Sequence, residues 1–217
     1  QWLSGQLLAG FQVTPQVVCS VRKASNGIRP VPIWGAPERV VYRALTDFVL
    51  RNVPELDRSP TAYLEFIGGP VEHARSLQGV GTLQVLAIGQ SAIKYVVKAD
   101  VSSFYEYVDL GILSGELVAA TGDYDAVQHL MLLLEEAQLR SYGLPQLLDA
   151  SDRLSDIYID IVERDVLRRG WPVWRFNDDF RIATLSFGDA LNAVEDLAAA
   201  ARGVGLSLSD YKTTTPK

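Results

Sequence analysis

Apolar and polar residues alternate on both sides of one acidic turn in the last third of the chain. The alternation runs from Val173 to Phe176 and again from Phe180 to Thr184, with Asn-Asp-Asp between the two runs. A period of two on each side of a short polar break predicts two strands joined by a tight turn. Asp178 and Asp179 then lie at a hairpin tip. They are either solvated there or neutralised by a cation, because two neighbouring carboxylates repel each other.

A second hairpin is predicted near the N-terminus. Residues 17–21 are mostly apolar, Asn26-Gly27 is a strong two-residue hairpin signal, and residues 28–33 form the return strand. Three basic residues flank the tip of this hairpin, and they are the only concentrated basic site in the first half of the chain. They are Arg22, Lys23 and Arg29. Such a cluster taken by itself is more often a solvated turn than a binding site.

Helical periodicity predicts most of the remaining elements. The predicted helices span about 37–51, 123–140, 151–169 and 187–201. Residues 52–92 are rich in Gly and Pro, which predicts loops with a short helix and one or two strands. A short strand at 95–101 carries Asp100 near its end, and a capping box, Ser103 to Glu106, predicts that a helix follows. A last strand at 206–208 precedes Lys212.

The order of these elements from residue 93 onward predicts the fold class. It is α+β, with an antiparallel sheet and helices packed on one face. We expect residues 1–92 to form one region, with the hairpin at about 17–33, the helix at about 37–51 and the loop-rich stretch at 52–92. Residues 93–217 form the region that carries the acidic turn.

Composition narrows the function classes. The chain has 217 residues, which suffices for one large domain or two small lobes. It lacks an apolar run of about 18 residues, so we expect no membrane span. One Cys and two His argue against a disulfide or a zinc site and fit the reducing cytoplasm. The net charge of −6 counts against a broad basic face for nucleic acid. Because the chain starts at Gln1 and not at Met, we expect a piece of a longer protein or a processed chain.

The acidic residues suggest a specific chemistry. If the strand that carries Asp100 lies beside the hairpin, its carboxylate converges with those of Asp178 and Asp179. Phosphoryl transfer by two metal ions needs such a cluster, because paired Mg²⁺ ions activate the attacking oxygen and stabilise the leaving oxygen. Mg²⁺ prefers carboxylates, water and substrate phosphate to a complete cage of protein ligands.

Four segments in order resemble the sequence blocks of a reverse transcriptase. They are Asp100 to Tyr105, Gly143 to Gln146 with Ser151 behind it, Phe176 to Asp179, and Leu206 to Ser209 with Lys212-Thr213. The resemblance covers about residues 17–215, and four blocks in register are far more specific than one. Within that superfamily, residues 151–158 and Arg175 resemble bacterial abortive-infection and other phage-defence enzymes more than group II intron or retron enzymes.

The resemblance implies a right-hand polymerase palm with a partial fingers subdomain. It implies an RNA-directed DNA polymerase, a nucleotidyltransferase that adds dNTPs to a 3′-hydroxyl or a protein primer with Mg²⁺ or Mn²⁺. The expected partners are dNTPs, an RNA template, the DNA product, and a non-coding RNA or protein primer, and a homo-oligomer is compatible with the sequence. We expect a cytoplasmic protein that acts in anti-phage defence.

The resemblance also implies roles for single residues. Asp100, Asp178 and Asp179, with the carbonyl of Val101, would hold metal, and the three carboxylates would be catalytic. Tyr105 would lie under the sugar of the incoming nucleotide and exclude a 2′-hydroxyl. The other substrate contacts would be Arg29, Lys23, Arg22, Gln146 and Lys212. Tyr105 as a core aromatic and Lys212 as a solvated lysine remain the structural alternatives.

Two departures leave alternatives open. Leu147 stands where the family usually has Gly after Pro-Gln, which allows template-independent DNA synthesis by the same site, since a side chain here limits close approach of the backbone to the template. The chain also stops shortly after Lys212, so we expect the thumb to be absent from it. A non-catalytic palm that binds nucleic acid or supports assembly is a further alternative, and a nucleotide cyclase fits the Gly-Leu-Pro-Gln segment poorly.

Overall fold

The computed structural model of the protein describes residues 10–22, 27–79 and 93–215. The chain forms two compact units, each built from two segments. The first unit comprises Gln1–Glu55 and Tyr105–Tyr158, and the second comprises Leu56–Phe104 and Ile159–Lys217. The division of the chain into a fingers-like region at residues 1–92 and a palm at residues 93–217 stays a prediction.

The elements follow in chain order. The strands are β1 (Val17–Arg22), β2 (Ile28–Ile33), β3 (Tyr95–Asp100), β4 (Val173–Phe176) and β5 (Asp179–Thr184). The helices are α1 (Ala36–Val49), α2 (Pro60–Gly79), α3 (Phe104–Tyr107), α4 (Leu110–Thr121), α5 (Tyr124–Gln138), α6 (Asp149–Arg168) and α7 (Phe187–Gly203). The described part of the chain is thus α+β with small antiparallel sheets, which confirms the predicted class. None of its helices combines the length and apolar character that crossing a bilayer requires.

In the first unit, β1 and β2 form an antiparallel ribbon, and α5 packs against both α1 and α4. The pairing runs from Val17 opposite Ile33 to Arg22 opposite Ile28, as predicted. The turn residues 23–26, including Lys23, lie outside the described residues. Because Arg29 pairs with Val21, it shares a face with that residue, whereas Arg22 lies on the other face of the ribbon. The two arginines therefore do not form one basic surface.

In the second unit, three strands form an antiparallel sheet in the order β3-β5-β4. Helix α7 packs on the face that contains the buried side chains of Val97 and Ile182. Helix α2 lies against the opposite face, where it contacts Trp174 and Phe176 of β4. The expectation of helices on one face is therefore wrong. It rested on the order of elements from residue 93 onward, which does not include α2.

The sequence pattern predicted only a short helix where α2 lies, and it missed α4. Gly68-Gly69-Pro70 suggested a break, but all three residues lie inside α2. Helix α4 contains two glycines and is apolar on most sides, so it has no clear periodic stripe. Its ends were nevertheless readable, because Asp109 caps the N-terminus by accepting a hydrogen bond from the Ile112 amide, and Gly122 ends the helix with a φ of +69°.

The last described segment runs along the free edge of β3. The amides of Lys98 and Thr214 each donate to the other residue's carbonyl at 2.8 Å, and Leu208 forms a bridge with Val101. The predicted strand at 206–208 is thus an irregular edge segment. Its pairing with β3 fixes where Lys212 lies.

Candidate active site

The sheet of the second unit brings the three predicted carboxylates together. Asp100 ends β3 and lies directly opposite Asp179, the first residue of β5. Asp178 occupies the turn before it, and its carbonyl accepts a hydrogen bond of 3.2 Å from the Val101 amide. The turn begins at Asn177, whose φ of +53° lies in the left-handed region that Asn tolerates better than most residues. The hairpin was predicted, and its pairing with β3 meets the condition on which the convergence of the three carboxylates depended.

Burial and mutual repulsion make this cluster electrostatically demanding. Asp100 is only 7% exposed. Burial, followed by the charge of Asp100, raises the pKa of Asp178. Burial, followed by the charges of Asp178 and Asp100, raises the pKa of Asp179 to about 6. The cluster therefore favours either a proton or a neighbouring cation.

Lys212 is a cation in direct contact with the cluster. Its Nζ donates to Oδ1 of Asp100 at 2.7 Å, and this hydrogen bond raises the pKa of the ammonium, so the group stays charged. The backbone reinforces the placement, since the Ser209 amide donates to the Asp100 carbonyl at 2.7 Å. Lys212 therefore lies at the carboxylates and is not simply a solvated lysine.

Arg58 is a second cation that the sequence did not indicate. It lies in the loop before α2, and its positive charge partly offsets the rise in the pKa of Asp178 that burial causes. No local motif marks this residue, because only the packing of α2 on the sheet brings its loop toward the acidic turn.

The oxygen atoms at this site, from three carboxylates and one backbone carbonyl, are of the type that binds hard divalent cations. Within the parts of the chain that the structure describes, no three His, Cys, Asp or Glu side chains are grouped closely enough to enclose a metal ion. The ammonium of Lys212 supplies the positive charge at Asp100 instead. Carboxylate and carbonyl oxygens are nevertheless the ligands that Mg²⁺ and Mn²⁺ prefer, and the raised pKa values of Asp178 and Asp179 mark the charge that such an ion would offset.

An aromatic cluster holds the outer side of β4. Phe176 contacts Tyr63 and Phe66 of α2, with ring centroids 5.2 and 6.0 Å apart. Trp174 stacks near His73 at 5.6 Å and covers Gly69, where a Cβ would overlap the indole ring. The strand that leads into the acidic turn is therefore fixed against a helix.

The remaining predicted contacts lie in the first unit. The Tyr105 hydroxyl donates to Oδ1 of Asp152 at 2.6 Å, and the Ser155 hydroxyl donates to Tyr105 at 3.4 Å. Gln146 lines a small cavity of about 50 Å³ together with Pro30 and Pro32 of β2. Arg22 and Arg29 are exposed at the ribbon. The roles of these residues stay predictions.

Two positions in and just after the Gly-Leu-Pro-Gln segment, Gly143 and Leu147, have left-handed backbone conformations. Gly143 has a φ of +88°, and a Cβ there would press on the guanidinium of Arg140. Leu144 donates its amide to the carbonyl of Tyr105 at 2.7 Å. Leu147 has a φ of +66°, so the backbone keeps a conformation that suits glycine although the residue is leucine, and its side chain is 71% exposed.

Comparison with known proteins identifies the fold. No protein-family model matches the chain, and no curated protein matches it in sequence. Telomerase from Candida tropicalis, in complex with the TWJ fragment of telomeric RNA, matches with a TM-score of 0.58 at 13% identity, over 99% of this chain and 44% of that chain. Telomerase from Candida albicans, also in complex with the TWJ fragment, matches with a TM-score of 0.54 at 10% identity, over 95% of this chain and 42% of that chain.

A further match is telomerase from Candida tropicalis truncated from its C-terminal domain. Its TM-score is 0.53 at 12% identity, over 94% of this chain and 51% of that chain. The chain has a reverse-transcriptase-like fold. The chain spans about half the length of the telomerases it matches, or less. The four sequence blocks predicted the same fold independently of these structures.

Proposed function

We propose that the chain is the catalytic core of an RNA-directed DNA polymerase. The observation that carries the proposal is the cross-strand pairing of Asp100 with Asp179, with Asp178 in the adjoining turn, on a reverse-transcriptase-like fold. Partly buried carboxylates with raised pKa values, such as those of Asp178 and Asp179, are unfavourable for stability alone. A function that brings a cation and a polyphosphate to the cluster accounts for their retention.

The reaction joins a primer hydroxyl, on DNA or on a protein, to the α-phosphorus of a dNTP. The new P–O bond forms as the bond to pyrophosphate breaks. Mg²⁺ or Mn²⁺, held by Asp100, Asp178, Asp179 and the carbonyl of Val101, would supply charge neutralisation for the phosphate oxygens and activation of the hydroxyl. Lys212 stays protonated beside Asp100, so it can donate to the departing pyrophosphate. Arg29 suits the triphosphate by its bidentate fork.

Partners and biological role follow from the same proposal. An RNA template and a DNA product are the expected nucleic acids. The telomerases that match in fold are described in complex with a fragment of telomeric RNA. Anti-phage defence is proposed from the resemblance of residues 151–158 and Arg175 to abortive-infection enzymes. We expect expression of the full-length protein in bacteria to lower phage plating efficiency, and a mutant without Asp178 and Asp179 to restore it.

The decisive experiment is dNTP incorporation by the full-length protein with Mg²⁺ or Mn²⁺, with and without added RNA. We expect activity that the combined Asp178→Asn and Asp179→Asn variant loses. Asp165→Asn is the matched control, because this aspartate pairs with Arg169 on the surface of α6. A folded full-length protein that incorporates no nucleotide under any condition would overturn the proposal in favour of a non-catalytic palm.

A second candidate is template-independent synthesis by the same site. Leu147 favours it, because its exposed side chain projects from a backbone that would suit glycine. If Leu147 prevents close approach of a template strand, the product sequence of the wild type will not follow the added RNA. We then expect Leu147→Gly to raise the fraction of templated product.

A further inference from the structure

A partly buried ion pair joins β4, the strand that leads into the acidic turn, to α6. The Nε of Arg175 on β4 donates to Oε2 of Glu163 on α6 at 2.7 Å. The side chain of Arg175 is 6% exposed and that of Glu163 is 23% exposed. Both residues belong to the second unit, and neither is among the candidate metal ligands.

The same guanidinium also reaches the turn itself. Its Nη1 donates to the carbonyl of Asn177 at 3.2 Å. Asn177 has a φ of +53°, a left-handed conformation that Asn tolerates better than most residues. One side chain therefore links helix α6 to the residue that directly precedes Asp178.

Stability alone explains this arrangement poorly. A buried ion pair contributes little net stability, because removing both charges from water offsets much of their attraction. What a planar guanidinium does supply is direction, since its donors are fixed in one fork. On the opposite face of β4, Trp174 and Phe176 pack against α2, so Arg175 completes the support of this strand from the α6 side.

We propose that Arg175 and Glu163 are positioning residues that fix the Asn177 turn and thereby hold Asp178 and Asp179 in place for a divalent cation. The cation is the part that rests on the proposed function. Residues that orient metal ligands without touching the metal typically change metal affinity about 10- to 100-fold when they are replaced. The pair acts through its contact with the turn.

The test is Mn²⁺ binding to the full-length protein without nucleotide, measured by the electron paramagnetic resonance signal of free Mn²⁺. Arg175→Lys keeps the charge but loses the fork that reaches Glu163 and Asn177 together. We expect binding about tenfold weaker, with a smaller loss for Glu163→Gln. Arg169→Lys is the matched control, because Arg169 pairs with Asp165 and Asp196 on exposed surface. It should bind Mn²⁺ as the wild type does.

Each result decides a different point. If Arg175→Lys lowers the melting temperature but leaves the Mn²⁺ affinity of the folded protein unchanged, the pair is structural and the inference is wrong. If the wild type binds no Mn²⁺, or binds it equally well after Asp178 and Asp179 are replaced, the proposed metal site is wrong and the inference is wrong with it. If Arg175→Lys does not fold, Glu163→Gln carries the same measurement, and an unchanged affinity there overturns the positioning role.

Discussion

At the scale of single residues, Asp179 shows how the site works against stability. Its pKa is raised to about 6, so the folded state keeps a proton at pH values where the unfolded chain has lost it. Between about pH 4 and pH 6 the folded state therefore binds more protons, and the free energy of unfolding falls as the pH rises through this window. Without a bound metal ion, the ionised carboxylate of Asp179 therefore destabilises the folded state most near neutral pH.

Replacing Asp179 should therefore stabilise the protein. We expect Asp179→Asn to raise the free energy of unfolding near pH 7 by about 1 kcal/mol, after the shift is discounted for solvent screening of a half-exposed group. Near pH 4 the difference should almost vanish, because the wild-type carboxyl is then protonated in the folded state. Urea unfolding at both pH values measures it. An equal gain at both would show that the cost of the ionised carboxylate, from burial and from charge repulsion, is not the cause.

Leu147 offers a second residue-scale prediction. Leu147→Gly should stabilise the fold by about 0.5 to 1 kcal/mol, because relief of the left-handed strain exceeds the extra entropy of glycine in the unfolded chain. Leu139 also has a positive φ, +56°, and an exposed side chain, so Leu139→Gly is the matched control and should raise the free energy of unfolding by a similar amount. Denaturant unfolding checks both variants. Only Leu147→Gly should alter template dependence, and a change in both would mean that stability governs it.

At the scale of elements, α2 shows why sequence pattern alone was insufficient. Glycines and Pro70 suggested loops, but Gly69 is needed where the helix meets the ring of Trp174. The requirement comes from a strand about a hundred residues away, so no local window contains it. Helix α4 was missed for a different reason, since its nearly continuous apolar sequence hides the helical period. The hairpin strands, by contrast, were predicted well because their signals are local.

The contact of Gly69 gives a prediction with a close control. Gly69→Ala should destabilise the second unit by about 1 to 3 kcal/mol, because the added methyl overlaps the indole ring and overpacking outweighs the better helix propensity. Gly68→Ala, whose Cβ would only reach the Glu72 carboxylate at 4.0 Å, should instead be neutral or stabilising. Thermal unfolding of the two variants compares them directly. Equal effects would contradict the packing argument.

At the scale of the whole molecule, the four sequence blocks predicted the fold better than any single element did. Their order indicated that Asp100 and the acidic turn belong to one sheet, and the structure places them opposite each other. The sequence could not indicate that each compact unit is assembled from two separate segments. It also could not locate Arg58 or the Glu163–Arg175 pair, because both depend on packing between elements distant in the chain.

Metal binding should be visible in the unfolding of the molecule. A ligand that binds only the folded state at about 100 times its dissociation constant adds about 2.7 kcal/mol of stability. We expect Mn²⁺ at that excess to raise the melting temperature of the full-length protein, and EDTA to reverse the rise. The variant with Asp178→Asn and Asp179→Asn should not respond. A rise of equal size in this variant would place the bound ion elsewhere.

The segment that pairs with β3 has one more consequence, which concerns solubility. By forming hydrogen bonds with the backbone groups of Lys98, Asp100 and Ser102, residues 207–214 close an edge that would otherwise offer unpaired amides and carbonyls to a second chain. A version of the protein cut before residue 206 would lose Lys212 and open this edge at the same time. We expect such a truncation to self-associate, which light scattering would detect as large species, whereas Lys212→Gln alone should remain dispersed.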